Sequence, residues 1–349
     1  MRKLIPLLLT TLALLACGGE KLPLPDQPTD FGNTAVDDTT YLLIKPVWGA
    51  ENGYDFNQPR DVLIGRDTFI YVADTDNNRI VMLDLAGNIV GLSQTITRPV
   101  AITQDVQLNL LIVNNSNKIF QIKLTPARHQ IANAAIETVF EEVDNPDRRY
   151  TGISAQPIPD PTSLSILSTY FVCATGDQKS DNQVLYFRNG FDVALPDAVN
   201  LEPLGLGIQS AAIPSGITGV RDFSVDFIFC MIGQNSFKVQ WMTSGEFGFV
   251  SRLNPAENAD IFQADKFFTP EDVTVDEEGA IYVVDAELDY LLKFSVGGKE
   301  LQSFGGSGSG EKEFDSPQGV AIFDQTLYVA DTGNNRIVRF KLSTDVANN

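Results

Sequence analysis

One histidine, three cysteines and a recurrent aspartate bound the chemistry open to this 349-residue chain. A single histidine, His129, excludes any multi-histidine zinc site. A serine–histidine–aspartate relay would have to run through His129, which lies in the variable segment Thr125-Pro-Ala-Arg-His-Gln130 and reads as an exposed loop residue. Oxygen chemistry remains open. Asp74, Asn114, Asp285 and Asp331 hold the same place in a repeated phrase, each closing an apolar run. A catalytic group need occur only once, so a group that recurs with every repeat is expected to brace a turn by accepting backbone N–H bonds. Arg79 and Arg336 recur with them and are expected to pair with nearby carboxylates. Asp74-Thr-Asp76-Asn-Asn78 opens with the rhythm of a calcium loop, but the sixth position is Arg79 where glycine is needed and the twelfth is Leu85 where glutamate is needed. An EF-hand is therefore excluded. Cys173 and Cys230 fill the slot that Ala73 and Ala330 occupy in other copies, so both are expected as small buried side chains. An oxidising compartment would permit a disulfide, but equivalent positions on neighbouring repeats are expected to lie too far apart for one.

The elements that carry these residues are strands. Leu327-Tyr-Val-Ala-Asp-Thr-Gly-Asn-Asn-Arg-Ile-Val-Arg-Phe-Lys-Leu342 reads as strand, tight turn, strand, and nearly the same words occur at 70–84 and, more worn, at 281–294. Tyr328, Val329 and Ala330 favour a pleated backbone. Gly333 and the asparagines tolerate the positive φ that a tight turn requires. A proline phrase precedes each copy (Pro59-Arg-Asp-Val, Pro270-Glu-Asp-Val and Pro317-Gln-Gly-Val), 14 or 15 residues before the closing aspartate. A further element follows, as in Glu300-Leu-Gln-Ser-Phe-Gly305. Four short antiparallel strands make a propeller blade. Weaker copies at Pro99–Ile119, Tyr170–Phe187 and Phe227–Trp241 bring the count to six, with loops expected around Pro157–Pro161 and Pro196–Pro214. Val47-Trp48-Gly49 matches the blade-closing Ser303-Phe304-Gly305, whereas the last blade lacks its own closing strand. The fold expected is thus an all-β, six-bladed propeller in residues 41–349, with residues 41–49 completing the last blade and protecting its edge.

Ahead of it, Arg2 and Lys3 precede an uncharged run, Leu4 to Ala16, too short to span a bilayer as a helix. Leu14-Leu15-Ala16-Cys17 resembles the lipobox of bacterial lipoproteins. The resemblance implies a signal peptide over 1–16, cleavage before Cys17 and lipid on that cysteine. Gly18, where aspartate would favour the inner membrane, points to the outer membrane, facing periplasm or surface. Residues 17–40 are rich in Pro, Asp, Thr and Gly and read as a flexible tether reaching on the order of 25–30 Å.

The phrases Pro-x-Gly-Val, at 317–320 and in variant form at 59–62, and Tyr-Val-Ala-Asp-Thr-x-Asn-Asn-Arg-Ile, at 328–337 and 71–80, resemble NHL repeats, and the chain resembles six-bladed propeller lipoproteins of Gram-negative envelopes. Such propellers mostly bind proteins, nucleic acid or small ligands, so fold alone leaves function open. The resemblance also admits a lactonase-like hydrolase holding Ca²⁺ in the central channel with oxygen ligands, whereas the lone histidine excludes the zinc site of the amidating-lyase relatives. With 45 acidic and 25 basic side chains the net charge is −20; loss of Arg2 and Lys3 leaves 23 basic residues and −22. That argues against nucleic acid, whose binding requires phosphate neutralisation, and against docking on anionic lipid by charge. Contact with the membrane is expected through the lipid anchor alone. The candidate binding residues are Arg60, Asp61, Glu271, Asp272 and Gln318, which are expected just ahead of the innermost strands and differ from blade to blade. Solvated rim charges are the plain alternative. The reading reached is a monomeric, non-catalytic binding or scaffold module with no cofactor, for an envelope protein or a small ligand. A calcium-dependent hydrolase is its alternative.

Overall fold

The computed structural model describes residues 40–343, apart from 161, 189, 192–196, 200–210, 221–222, 235–236, 247 and 256–258. Cys17, the expected leader and nearly all of the expected tether lie outside the described residues. Six four-stranded antiparallel sheets follow one another along the chain as the blades of a propeller. Their innermost strands are Pro59–Ile64, Ala101–Gln104, Arg149–Pro159, Pro214–Gly219, Pro270–Val275 and Pro317–Phe323, for blades 1 to 6. Each second strand is almost wholly buried, as in Ile70–Asp74 and Ile281–Asp285. Both of its faces pack on neighbouring blades, which explains why the apolar residues run together there instead of alternating.

The apolar side chains form six clusters, one at each blade–blade junction. The cluster between blades 6 and 1 contains Val62, Val72 and Val81 with Tyr328, Ala330 and Ile337, and Trp48 at its heart. Residues Tyr41–Leu43 are the outermost strand of blade 6, pairing antiparallel with Phe340–Leu342. The pairing is shorter than 41–49: after Leu43 the regular ladder ends, and Trp48 rejoins blade 6 through a separate bridge to Ile337. The first strand of the domain therefore belongs to the last blade, and the ring is closed.

Two local expectations are revised. Pro157–Pro159 do not form a loop. They extend the inner strand of blade 3, where Pro157 faces Ser168 and Pro159 faces Ile166. An inner strand has one edge open to the channel, so proline can sit there without breaking a ladder bond. In the turns, the left-handed residues are Asn78 (φ 55°) and Asn335 (φ 54°), and Gly333 has no such conformation. Gly333 is required instead by close approach, since a Cβ there would lie 2.4 Å from the Asp315 side chain.

Candidate functional site

Every inner strand except that of blade 2 begins with a break in register: between Pro59 and Asp61, Tyr150 and Gly152, Pro214 and Ile217, Pro270 and Asp272, and Pro317 and Gly319. A β-bulge re-aims the side chain of its extra residue. Arg60, Thr151, Ser215, Glu271 and Gln318 stand at these bulges and, with Val100 of blade 2, surround one mouth of the central channel. The channel at this level is a cavity of about 120 Å³ that opens into a mouth of about 260 Å³. The five candidate residues lie within the innermost strands rather than ahead of them, and all are half-buried rather than solvated.

The bulge also splits the candidates in two. Asp61 and Asp272 turn into the wall. Asp61 Oδ2 accepts the Ile102 N–H of blade 2 at 2.7 Å, and Asp272 Oδ2 accepts the Val320 N–H of blade 6 at 2.9 Å. Thr103 and Ser154 do the same for Ala155 and Gly219, so these bonds tie successive inner strands around the ring. The strands approach so closely that a Cβ on Gly319 would lie 2.6 Å from the Arg60 carbonyl oxygen. Burial pushes the Asp61 carboxyl up to about 6, against the opposing pull of the Ile102 and Val62 N–H groups. Burial, then the charge of Asp61, holds Asp272 well above the usual carboxylate range.

A carboxyl whose pKa is raised by folding binds more protons in the native state than in the unfolded chain. Its contribution to stability is full below about pH 4 and is lost as pH rises through about 6. Asp61→Asn keeps an oxygen for the Ile102 N–H and removes the buried charge. It is expected to raise the unfolding free energy at pH 7.5 by about 1–3 kcal/mol and to lose most of that advantage by about pH 4. Chemical unfolding at both pH values measures it.

The other three candidates converge on one arc of the mouth. Glu271, Gln318 and Arg60 come from the consecutive blades 5, 6 and 1. Among the described residues none of their side chains makes a hydrogen bond or an ion pair, and the buried Arg60 Nε has no partner. Across the mouth two hydroxyls are already used: Thr151 Oγ1 donates to the Pro214 carbonyl at 2.7 Å and Ser215 Oγ to the Pro270 carbonyl at 2.6 Å, while Arg149 lies 3.7 Å from Asp177. Burial raises the Glu271 pKa, and the Arg60 guanidinium opposes the rise.

The repeated acids are scaffold ligands. Asp331 accepts from Asp315 N at 2.8 Å, Asn334 Nδ2 at 2.9 Å and Arg336 Nε at 2.7 Å. Asp74 repeats the pattern with Asn57, Asn77 and Arg79. Asp285 lacks the arginine and gathers backbone N–H groups of Phe268, Thr269, Glu287 and Leu288. Asn114 accepts from Ser116 Oγ at 2.6 Å and donates to the Thr97 carbonyl at 2.8 Å. His129 is not a free loop residue: its ring is half-buried, stacks on Phe69 and lies 3.4 Å from Asp67, which also holds Tyr71 and Gln104. Cys173 and Cys230 are buried and unbridged, in different junction clusters, yet both thiols point at the Gly216 carbonyl, each 3.7 Å away.

Calcium requires several converging oxygen ligands. Asp61 and Asp272 spend an oxygen each on the wall, and the one carboxylate open to the mouth, Glu271, shares it with a guanidinium. No group of three acidic, histidine or cysteine side chains able to hold a metal occurs among the described residues. The donors at this mouth do not fit a calcium ion. Thr151 and Ser215 were not singled out from the sequence, although Thr151-Gly152-Ile153 and Pro214-Ser-Gly-Ile217 echo the proline phrase and mark their place.

Comparison with known proteins follows the same lines. Residues 314–340 match the NHL repeat family model. NHL repeat-containing protein 2 of Gallus gallus is 36% identical over 85 residues, a match that spans 22% of this chain and 12% of that protein. A gluconolactonase from Xanthomonas campestris superposes with a TM-score of 0.57 at 10% identity, over 87% of this chain and 97% of its own. The calcium-binding protein regucalcin from Agrobacterium tumefaciens superposes at 0.55 and 10% identity, over 86% and 92%. At such identities the solved structures speak to fold. The chain is a six-bladed β-propeller, and its last blade carries an NHL repeat.

Proposed function

We propose that this propeller is a non-catalytic binding module, held at a bacterial membrane by lipid on Cys17, and that it binds through the open arc of its channel mouth. The observation that carries this reading is the set of unpartnered polar groups at Arg60, Gln318 and Glu271. Buried polar atoms in native proteins find partners, and the buried Arg60 Nε has none. The absence of a histidine partner and of a fitting metal ligand set weighs against hydrolysis as the task of the same cavity. The lipid anchor rests on the Leu14–Cys17 motif, and unchanged processing of Cys17→Ala would remove it from the account.

Capture from the native envelope in mild detergent tests the binding reading. The full chain is expected to retain a partner or ligand in near-equal amount, and the Arg60→Met/Glu271→Ala/Gln318→Ala variant to lose it. Equal retention by the variant would refute the assigned face. The calcium alternative has its own check: dialysis against EDTA is expected to shift the thermal midpoint by less than about 1 °C, whereas loss of a resident ion bound at 100 times its Kd would remove about 2.7 kcal/mol.

A further inference from the structure

The three open groups differ in kind and in order. Glu271 is an acceptor with negative charge, Gln318 beside it is both donor and acceptor, and Arg60 is a positively charged fork of donors. They line a cavity of about 120 Å³ at the base of the mouth. No ion pair joins Arg60 to Glu271, although each lies within the other's field. The facing arc offers Val100 and two hydroxyls whose protons are committed to backbone carbonyls, and further out the Asn115 amide and an Arg149 guanidinium that lies 3.7 Å from Asp177. A simple anion would satisfy Arg60 and be repelled by Glu271. A simple cation would meet the reverse. A molecule that carries both signs satisfies both ends, and its short apolar part would lie towards Val100.

Resting on the binding reading above, we propose that the mouth takes a small zwitterion of amino-acid size, with its carboxylate on the Arg60 guanidinium and its ammonium group on the Glu271 carboxylate. Gln318 lies between them and accepts or donates to either end. The guanidinium fork matches a carboxylate in a two-bond geometry that lysine could not reproduce.

Three probes that share one ethyl frame decide it: L-alanine carries both charges, propionate the carboxylate alone and ethylamine the ammonium alone. Calorimetric titration of the full chain in detergent is expected to show saturable binding of L-alanine, with propionate and ethylamine at least about tenfold weaker. Arg60→Met and Glu271→Gln are each expected to weaken L-alanine by about 30-fold or more, with thermal unfolding midpoints that show both variants folded. Propionate or ethylamine binding as tightly as L-alanine would overturn the proposal, as would unchanged L-alanine affinity in either variant. If no probe binds while the triple variant still loses the captured partner, the zwitterion is wrong and the binding face stands. If the triple variant also retains its partner, both are wrong.

Discussion

Trp48→Ala is expected to lower the unfolding free energy by about 3–5 kcal/mol, and removal of residues 41–49 to leave a chain that unfolds or aggregates. Trp48 is fully buried between blades 6 and 1. Its backbone exchanges hydrogen bonds with Ile337, at 3.1 and 2.9 Å. Its ring stacks on Tyr54 at 5.8 Å and lies 4.2 Å beneath the buried Arg339 guanidinium, whose NH2 group donates to the Pro46 carbonyl. Truncation thus opens a large cavity and uncovers a buried charge in one step. It does so at the junction where the two ends of the ring meet. Deletion goes further, because the edge of Arg336–Leu342 would then be free to pair with other molecules. Denaturant unfolding and light scattering measure both effects. A loss under about 1 kcal/mol for Trp48→Ala, or an equally stable monomer after the deletion, would show that closure does not depend on this segment.

Asp331→Ala is expected to cost a similar amount, about 3–5 kcal/mol, because it breaks a buried ion pair and strips two further donors of their acceptor. Arg336 would keep its bonds to the Ser309 and Glu313 carbonyls, at 2.8 and 3.0 Å, but lose the carboxylate that fixes its Nε. Asp331→Asn should cost less. Its oxygen can still serve the Asp315 N–H, although its amide group would face Arg336. Asp74→Ala, with the same three kinds of partner in blade 1, should match Asp331→Ala within about 1 kcal/mol. A neutral result at either site, read from denaturant midpoints, would contradict the scaffold role.

Much of this architecture is legible in the sequence. The Tyr-Val-Ala-Asp phrase marks the second strand and its closing acid, because each copy must meet the same packing on both faces. Val47-Trp48-Gly49 reveals the displaced closing strand, because it repeats the words that end another blade. Blade 3 is less legible. Its bulge starts from Tyr150 in place of proline, and the inner strand runs on through Pro157 into a long hairpin. The site is half legible. Arg60, Glu271 and Gln318 stand out because they vary where a scaffold repeats. That their immediate neighbours Asp61 and Asp272 turn into the wall follows from the bulge, which leaves no mark in residue type alone. Nor can spacing show that both cysteines face the Gly216 carbonyl, since that depends on how blades 3 and 4 meet around one bulge.

The central claim is that the molecule works through the open arc of this mouth, and photocrosslinking tests it most directly. Ile213 lines the mouth and is 42% exposed, whereas Val296, 40% exposed, is not among its lining residues. With benzoylphenylalanine at position 213 in the native envelope, a defined adduct should form, visible by intact mass whether the occupant is a protein or a small molecule. It should disappear with Arg60→Met and be absent when the probe stands at position 296. Adducts of equal yield at both positions, or an adduct at 213 that survives Arg60→Met, would contradict the account.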